Sequence, residues 1–508
     1  MLCQRLLTTL LVTLLCAPAP PALAQKAKGR AKASGARAAG PVLPPIKYTQ
    51  FFLPNGLRVI FHEDHSTPIV GVNVWYHVGS KNEDKGRTGF AHLFEHMMFQ
   101  GFKGYDYDYI PVLQEIGAAI NGSTSQDRTN YWELVPSNFL ETALYMEAGR
   151  MSGLLEAMTQ TKLDNQRDVV KNEKRQRIDN QPYGQATYKI TEAMYPEGHP
   201  YRWSVIGSME DLSAASMDDV KAFFRRYYVP NNASLVIAGD FDPKEARAWV
   251  EKYFGPIPKG EAVTRPQVPT PKLDREVREQ IDDRVQFPRL YMVWHSVPQY
   301  SKDEAALDTL AGILGGGKSG RLYKALQYGE NQIAQQVSIF NNTSEIAGRI
   351  QLVAQPRPGH TLEEIERVVQ AEIDKLKAAP PTPEEMERVY NAREASFIYG
   401  MQTVGAFGGK DDQLNNYATF LNDPGFFEKD LARYRAVTAA DVQRVARQYL
   451  TDRRYVLSVV PRQAGPTGAA GPAPMSPREG LPTPSQQSAG AGQPGAAGPA
   501  GPSAPTGT

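Results

Sequence analysis

Apolar residues recur at helical spacing in a stretch that begins near residue 90. Between Thr88 and Gly101, the apolar residues Ala91, Phe94 and Met98 fall on one face of a helix with about 3.6 residues per turn. Thr88 is a candidate N-cap and Gly101 a candidate C-terminal stop. The pattern predicts an amphipathic helix with its apolar face toward a core and a polar face left free for other roles.

A second helical pattern spans residues 163–179. Two apolar residues, Val169 and Val170, lie on the same predicted face as Glu173. An unpaired carboxylate on a partly buried face is costly, because it loses its hydration without gaining a partner. We therefore expect Glu173 to have a partner elsewhere in the chain.

Shorter apolar stretches predict β-strands, separated by turn and hairpin signals. These signals favour mostly antiparallel sheets with helices packed on one side, so the predicted fold class is α+β. The predicted strands are 58–62, 70–77 and 131–135 in the first half of the chain, and 285–295, 333–340 and 349–354 in the second.

The chain also repeats itself weakly. A helix–turn–strand pattern at 219–238 recurs 222 residues later at 441–460, and the apolar strand around Trp75 recurs around Trp294 at an offset of 219 residues. Two segment pairs with nearly the same offset predict two duplicated domains. We expect these at 46–262 and 270–462, joined by a proline-containing linker at 263–269.

Composition changes the prediction at both ends of the chain. Residues 1–24 have the pattern of a secretory signal, with an apolar run too short to span a bilayer stably. Residues 25–45 are predicted to be a basic flexible segment, and 463–508, rich in Gly, Pro and Ala, a disordered tail. We therefore expect export to a bacterial periplasm, without stable membrane insertion.

Charge and cysteine content exclude several classes of function. The formal net charge of the 508 residues is +1, which gives no reason to expect nucleic-acid binding. Both cysteines, Cys3 and Cys16, lie inside the predicted signal. The mature chain is therefore expected to contain neither a disulfide nor a thiolate metal site.

The polar face of the first predicted helix carries side chains that can bind a metal ion. His92 and His96 lie one turn apart, with Glu95 beside them, and two imidazoles at this spacing can share a zinc ion. The order H-x-x-E-H is an inverted form of a zinc-peptidase pattern, in which the glutamate acts as a base. A pair of surface histidines on an amphipathic helix is the plain structural alternative.

The H-x-x-E-H motif at 92–96, followed by V-V-x-x-E ending at Glu173, resembles the M16 metallopeptidases, the pitrilysin, insulinase and mitochondrial processing peptidase group. The 76 residues between His96 and Glu173 are similar to the interval in that family. The resemblance implies that His92, His96 and Glu173 bind Zn²⁺. It also implies that Glu95 is the general base of an endopeptidase that cleaves peptides or small unfolded proteins.

The same resemblance assigns roles to two further residues. Asn121 lies in a segment that corresponds to an edge strand near the metal, so it is expected to contact the backbone of a peptide that adds as a further strand. An Asn-Gly turn is the structural alternative there. Gln166 stands where family members commonly have a second Glu, so it is expected to influence the metal site from behind the ligands.

The second half lacks residues that the resemblance calls for. Complete family enzymes carry an Arg and a Tyr there that reach the substrate, whereas the corresponding positions hold Gln327 and Gln335. The helix at 305–314, which repeats the motif helix, has no His and Glu triplet. We therefore expect a non-catalytic second domain, and a heterodimer with a sister M16-like chain that supplies the Arg/Tyr clamp.

Two other functions are weighed against this hypothesis. Some relatives with this fold are non-catalytic scaffold subunits, and the intact motif disfavours that role. The segment 312–319, G-I-L-G-G-G-K-S, matches the P-loop of nucleotide hydrolases letter for letter. A P-loop must follow a strand and open a helix, whereas the residues before this segment have helical periodicity.

Overall fold

The computed structural model describes residues 46–329 and 332–462. The predicted signal, the basic segment at 25–45 and the tail at 463–508 lie outside the described residues. Within the described ranges, no helix has both the length and the apolar character needed to cross a membrane.

The first β-sheet has six strands, and neighbours are antiparallel except for one parallel pair in its middle. The strands are β1 (Thr49–Phe52), β2 (Arg58–Glu63), β3 (Ile69–Tyr76), β4 (Ala119–Thr124), β5 (Thr129–Pro136) and β6 (Ala233–Gly239). Their order across the sheet is β1-β2-β6-β3-β5-β4, so β2 and β6 form the parallel pair and β4 lies at an edge.

The second β-sheet has five strands in the order β7-β11-β8-β10-β9, where β7 and β11 are parallel and the other neighbours antiparallel. The strands are β7 (Val277–Asp283), β8 (Arg289–Ser296), β9 (Ala334–Thr343), β10 (Gly348–Pro356) and β11 (Tyr455–Pro461). Two mostly antiparallel sheets with associated helices confirm the predicted α+β class.

Helices follow the strands in both halves of the chain. In the first half they are α1 (Phe90–Met97), α2 (Tyr109–Glu115), α3 (Leu140–Ala157), α4 (Gln160–Lys174), α5 (Gln185–Met194), α6 (Met209–Ala214), α7 (Met217–Tyr227) and α8 (Pro243–Phe254). In the second half they are α9 (Glu304–Gly315), α10 (Arg321–Leu326), α11 (Leu362–Ala378), α12 (Pro383–Gly400), α13 (Lys410–Leu421), α14 (Phe427–Arg435) and α15 (Ala439–Tyr449).

One helix from each half of the chain packs against the sheet of the other half. Side chains alternate along a strand, so β3 turns Val72 and Val74 toward the helices of its own half and Asn73 toward the opposite face. That opposite face is covered by α13, whose Leu414 and Ala418 pack against the first sheet. In return, residues of α5 pack on β11 of the second sheet. The two halves therefore share their cores.

The six strands predicted from apolar stretches are all present, with small differences in their bounds. The largest difference is at 285–295, where the strand begins at Arg289, because residues 284–288 form bends and irregular chain. Strand β7 was not predicted, since its sequence V-R-E-Q-I-D-D is mostly polar. It is nevertheless paired along its length with β11.

Candidate metal centre

Helix α1, which carries the H-x-x-E-H motif, begins one residue later than a Thr88 N-cap would place it. Gly89 is the N-cap and has a φ of 89°, a left-handed conformation that glycine adopts without strain. The buried carboxylate of Glu83 accepts hydrogen bonds from the backbone N–H groups of Gly89 (3.0 Å) and Ala91 (2.8 Å). Thr88 itself donates to Asp211 from both its N–H and its hydroxyl. The carboxylate of Glu83, six residues before Gly89, thus replaces the predicted cap.

The end of α1 also differs from the prediction. The helix ends at Met97, before the predicted stop at Gly101, because the chain tightens into a turn in which the N–H of Phe99 donates to the carbonyl of His96. The apolar face agrees with its pattern, since Phe94 is fully buried. This burial fixes the direction of the opposite, polar face.

Helix α4 brings Glu173 to that polar face. Val170 is fully buried and anchors the helix, whereas Val169, predicted to share the buried face, is 40% exposed. Immediately after α4 the chain forms a π-helical turn, Arg175–Asp179. In this turn Arg177 lies with its Nη1 2.5 Å from Oε1 of Glu173. The partner expected for Glu173 is therefore partly this arginine and partly the two histidines of α1.

The structure brings the three predicted ligands together. Nε2 of His96 lies 3.2 Å from Oε2 of Glu173, and Nε2 of His92 lies 3.7 Å from the same oxygen. One ligand atom from each residue lies within 4.8 Å of the other two. Within residues 46–329 and 332–462, this is the one group of at least three such side chains with metal-binding geometry.

The donor set fits zinc. Zinc binds imidazole nitrogen and carboxylate oxygen at about 2.0–2.2 Å, which places tetrahedral ligands roughly 3.3–3.6 Å apart. The two measured N···O distances of 3.2 and 3.7 Å lie on either side of that range. Two histidines and one glutamate also leave a fourth position open, as catalytic zinc sites require.

The protonation states of two ligands favour a cation. Burial lowers the pKa of His92, which favours its neutral imidazole near pH 7. Burial alone would raise the pKa of Glu173, but the hydrogen bond with His96 and the charges of His92, His96 and Arg177 outweigh it and lower the pKa to about 2. A neutral imidazole and an ionised carboxylate are the forms that bind metal.

Glu95 lies beside the edge strand β4. The hydroxyl of Thr124 donates a hydrogen bond to Oε2 of Glu95 across 2.7 Å. The strand also approaches the helix closely at Gly122, where a Cβ would lie 3.2 Å from Cγ of Glu95. The helix thus presents its carboxylate to the strand that the resemblance associates with substrate.

Thr124, Glu83 and Arg177 were not predicted to contribute to this site. The sequence contained a signal for Thr124, because a strand through Asn121 places residues 122 and 124 on one face. For Glu83, the sequence offered no local signal, since the contact depends on how a loop folds back over the start of α1.

The two remaining predicted residues lie on β4 and α4, the elements that carry Thr124 and Glu173. Asn121 is half-buried within β4, and its Oδ1 accepts a hydrogen bond from the N–H of Gly122 at 2.8 Å. This residue therefore belongs to a strand rather than to the alternative Asn-Gly turn. Gln166 is buried on α4, two turns before Glu173. The roles of Asn121 and Gln166 stay predictions.

The second half has different features at the corresponding places. Nε2 of Gln327, just after α10, donates to the backbone carbonyl of Gln335 at 2.8 Å. The glycines at 312–315 of the P-loop match belong to helix α9, which follows a loop after β8. No strand leads directly into this segment, so it lacks the context that phosphate binding requires.

Comparison with known proteins gives two family matches. Residues 58–202 match the family described as "Insulinase (Peptidase family M16)", and residues 214–393 match "Peptidase M16 inactive domain". Together these matches span more than half of the chain.

Individual relatives agree with this assignment. The chain is 28% identical over 417 residues to the zinc protease PqqE of Helicobacter pylori, covering 80% of this chain and 91% of that one. It is 24% identical over 426 residues to a probable mitochondrial-processing peptidase subunit beta of Arabidopsis thaliana, covering 80% and 77%. A solved protease structure from Helicobacter pylori superposes with a TM-score of 0.75 at 26% identity, covering 82% of this chain and 100% of that one. The chain belongs to the M16 peptidase family.

Proposed function

We propose that the chain is a zinc-dependent endopeptidase that cleaves peptides or small unfolded proteins. The observation that carries this proposal is the convergence of His92, His96 and Glu173 beside Glu95, which in turn faces an edge strand. The names of the relatives as zinc proteases support the same activity. The intact set disfavours a scaffold role, and no described feature favours nucleotide hydrolysis.

His92, His96 and Glu173 would hold the zinc ion. Zinc in such a set supplies Lewis acidity, which lowers the pKa of water and polarises a peptide carbonyl. Glu95 accepts the proton that the attacking water loses and returns it to the nitrogen of the leaving amine. The hydrogen bond from Thr124 keeps this carboxylate in one orientation while it does so.

The edge strand β4 would bind the substrate. It pairs with β5 on one side, and an extended peptide adds to the other side through backbone hydrogen bonds. Such binding tolerates many side chains, which suits an enzyme acting on varied peptides. Asn121, within β4, is the residue we expect to contact the peptide backbone.

The test of this proposal is the variant Glu95→Gln. It keeps the shape of the side chain and removes its ability to take a proton, so we expect unchanged zinc content and a fall in kcat of roughly 10²–10⁴-fold. Zinc per chain is measured after dialysis, and cleavage of a quenched fluorescent peptide is measured with and without a chelator.

Glu115→Gln serves as the matched control, since Glu115 is exposed at the end of α2, in the same half of the chain. It should retain the zinc content and activity of the parent. A Glu95→Gln variant that cleaves as fast as the parent would contradict the proposed role of Glu95. Cleavage that survives removal of all zinc would contradict the metal chemistry.

We propose further that this chain is the metal-bearing subunit of a heterodimer. Gln327 and Gln335 occupy the places where the family resemblance calls for the Arg/Tyr clamp, and neither is a cation or a phenol. The relative from Arabidopsis thaliana is named as a subunit, which supports a multichain enzyme. Export to a bacterial periplasm also stays a proposal, since it depends on residues 1–24.

A further inference from the structure

Hydrogen bonds on the back face of the first sheet link the second half of the chain to the edge strand β4 through β5. We propose that Asp412, on α13 of the second half, is a positioning residue that holds β4 in the place where it meets Glu95. This inference rests on the proposed function, because it assigns to the second half a part in the same site.

Asp412 lies at the start of α13, over the back face of the first sheet. Its Oδ1 accepts hydrogen bonds from Nε1 of Trp75 on β3 (3.1 Å) and from Nδ2 of Asn130 on β5 (3.2 Å). Its Oδ2 accepts a third from the backbone N–H of Gly408 (2.9 Å). One carboxylate thus joins two strands of the first sheet to the loop before its own helix.

From Asn130 the hydrogen bonds continue to β4. Asn130 is fully buried and lies opposite Ser123 in the register between β5 and β4. The hydroxyl of Ser123 donates to Oδ1 of Asn130 at 2.7 Å. Arg128, from the β4–β5 turn, donates to the carbonyl of Ser123 at 2.9 Å and lies with its guanidinium carbon 5.1 Å from the ring centre of Trp75. The hydrogen bonds thus run from Asp412 through Asn130 to Ser123 on β4.

The two faces of β4 therefore have separate partners. Ser123 points to the back face, toward Asn130 and Asp412, whereas its neighbours Gly122 and Thr124 point to the front face, toward Glu95. A shift of the strand by a fraction of an ångström would move Thr124 relative to Glu95. An edge strand has one neighbouring strand instead of two. Hydrogen bonds on its back face therefore contribute more to fixing its position than they would in the middle of a sheet.

The second half also holds the turn that follows β4. The backbone N–H of Glu345, in the turn between β9 and β10, donates to Oδ2 of Asp127 at 2.9 Å. Lys81 binds the other oxygen of Asp127 at 3.0 Å. The hairpin that contains β4 is thus fixed by the second half at its turn and along its back face.

The test is Asp412→Ala in the full chain, followed by amide hydrogen exchange with mass spectrometry. We expect exchange in residues 119–128 to rise by about tenfold or more, while zinc content stays at the level of the parent. We also expect kcat/KM for peptide cleavage to fall roughly tenfold to a hundredfold, since a small misplacement of reacting groups has effects of that size. Asp412→Asn keeps an acceptor for Trp75 and Asn130 and should restore most of both readouts.

Lys410→Met is the matched control, because it removes another polar contact of the same helix with the same sheet. Nζ of Lys410 lies 2.5 Å from Oδ2 of Asp64, which follows β2 near the opposite edge from β4. This variant should leave exchange in 119–128 and kcat/KM close to those of the parent. Equal effects of Lys410→Met and Asp412→Ala would overturn the proposal, since α13 would then act only through general stability.

Ser123→Ala tests the same link from the strand side, should Asp412→Ala fail to fold. It should also raise amide hydrogen exchange in residues 119–128. Unchanged exchange in these residues in every variant that folds would overturn the proposal. Hydrogen exchange and zinc content are measured without peptide cleavage, so neither readout depends on peptidase activity. The inference therefore fails on unchanged exchange, whereas the proposed function fails on an active Glu95→Gln variant.

Discussion

At the scale of single residues, the Thr124 hydroxyl donates a hydrogen bond to Glu95, the carboxylate proposed to move protons. Replacing Thr124 by Val keeps the branched shape and removes the donor to Glu95. We expect Thr124→Val to lower kcat by about tenfold, as the loss of one hydrogen bond to a charged group is worth about 1.5–3 kcal/mol in folded proteins and part of this reappears in the transition state. Zinc content should not change, because the hydroxyl of Thr124 binds Glu95, which is not one of the three proposed ligands.

Thr124→Ser is the control for the Thr124 variant, since it retains the hydroxyl and loses a methyl group. It should keep most of the parent kcat. If Val and Ser variants were equally active, the hydrogen bond would have no part in catalysis, and the carboxylate would be held by packing against Gly122 alone.

At the scale of secondary-structure elements, Glu345 in the turn between β9 and β10 binds residues of the first half. Glu345 contacts the buried ammonium of Lys81, and its Oε2 lies 2.6 Å from Nε2 of His77. Burial lowers the pKa of His77, which favours the neutral form of this imidazole at pH 7. Burial would raise the pKa of Glu345, but the hydrogen bond and charge of His77 and the charge of Lys81 lower it to about 2.

This depressed pKa makes a prediction about stability. A carboxyl with a pKa of about 2 in the folded chain and about 4.3 in the unfolded chain stabilises the fold above pH 4.3, and the contribution is lost as the pH falls toward 2. We expect Glu345→Gln to lower the free energy of unfolding by about 1–3 kcal/mol at pH 7. The difference from the parent should shrink steadily between pH 4.3 and pH 2.

Urea unfolding at pH 7, 4 and 3 measures the effect of Glu345→Gln. The control is Glu363→Gln, since Glu363 is exposed in the first turn of α11. That variant should differ little from the parent at any pH. A Glu345 effect of the same size at pH 3 as at pH 7 would show that shape, and not charge, holds the turn.

At the scale of the whole molecule, the pairing of this chain with a second one is the prediction to test. The chain purified alone should bind zinc and cleave peptides slowly, because Gln327 and Gln335 stand where the family resemblance calls for the Arg/Tyr clamp. Capture of the tagged chain from its native host should recover a sister M16-like chain that lacks H-x-x-E-H, and the mixture should cleave at least tenfold faster.

Light scattering and a peptidase assay on the same sample measure both properties of the purified chain. Addition of a chelator to the mixture is the control, since it should remove activity without separating the chains. Full activity of the single chain, as a monomer or a homodimer, would contradict the heterodimer.

Much of this organisation could be predicted from the sequence. Local periodicity predicted the strands and the motif helix, because apolar spacing reflects the face that each element buries. The internal repeat predicted two similar sheets, although the domain bounds at 46–262 and 270–462 stay predictions. The exchange of α5 and α13 between the sheets was not predicted, because a helix pattern shows that a face is buried and not what covers it.

The sequence by itself determined the α+β class, the position of the H-x-x-E-H motif on a helix and the family to which the chain belongs. These depend on spacings within a few turns, or on residues that can be matched one by one. Only the tertiary structure decided that Glu83 caps α1, that Thr124 meets Glu95, and that Asp412 of the second half is linked through Asn130 to β4. The Glu83 contact depends on how a loop folds back over the start of α1, and the contacts of Thr124 and Asp412 depend on long-range packing.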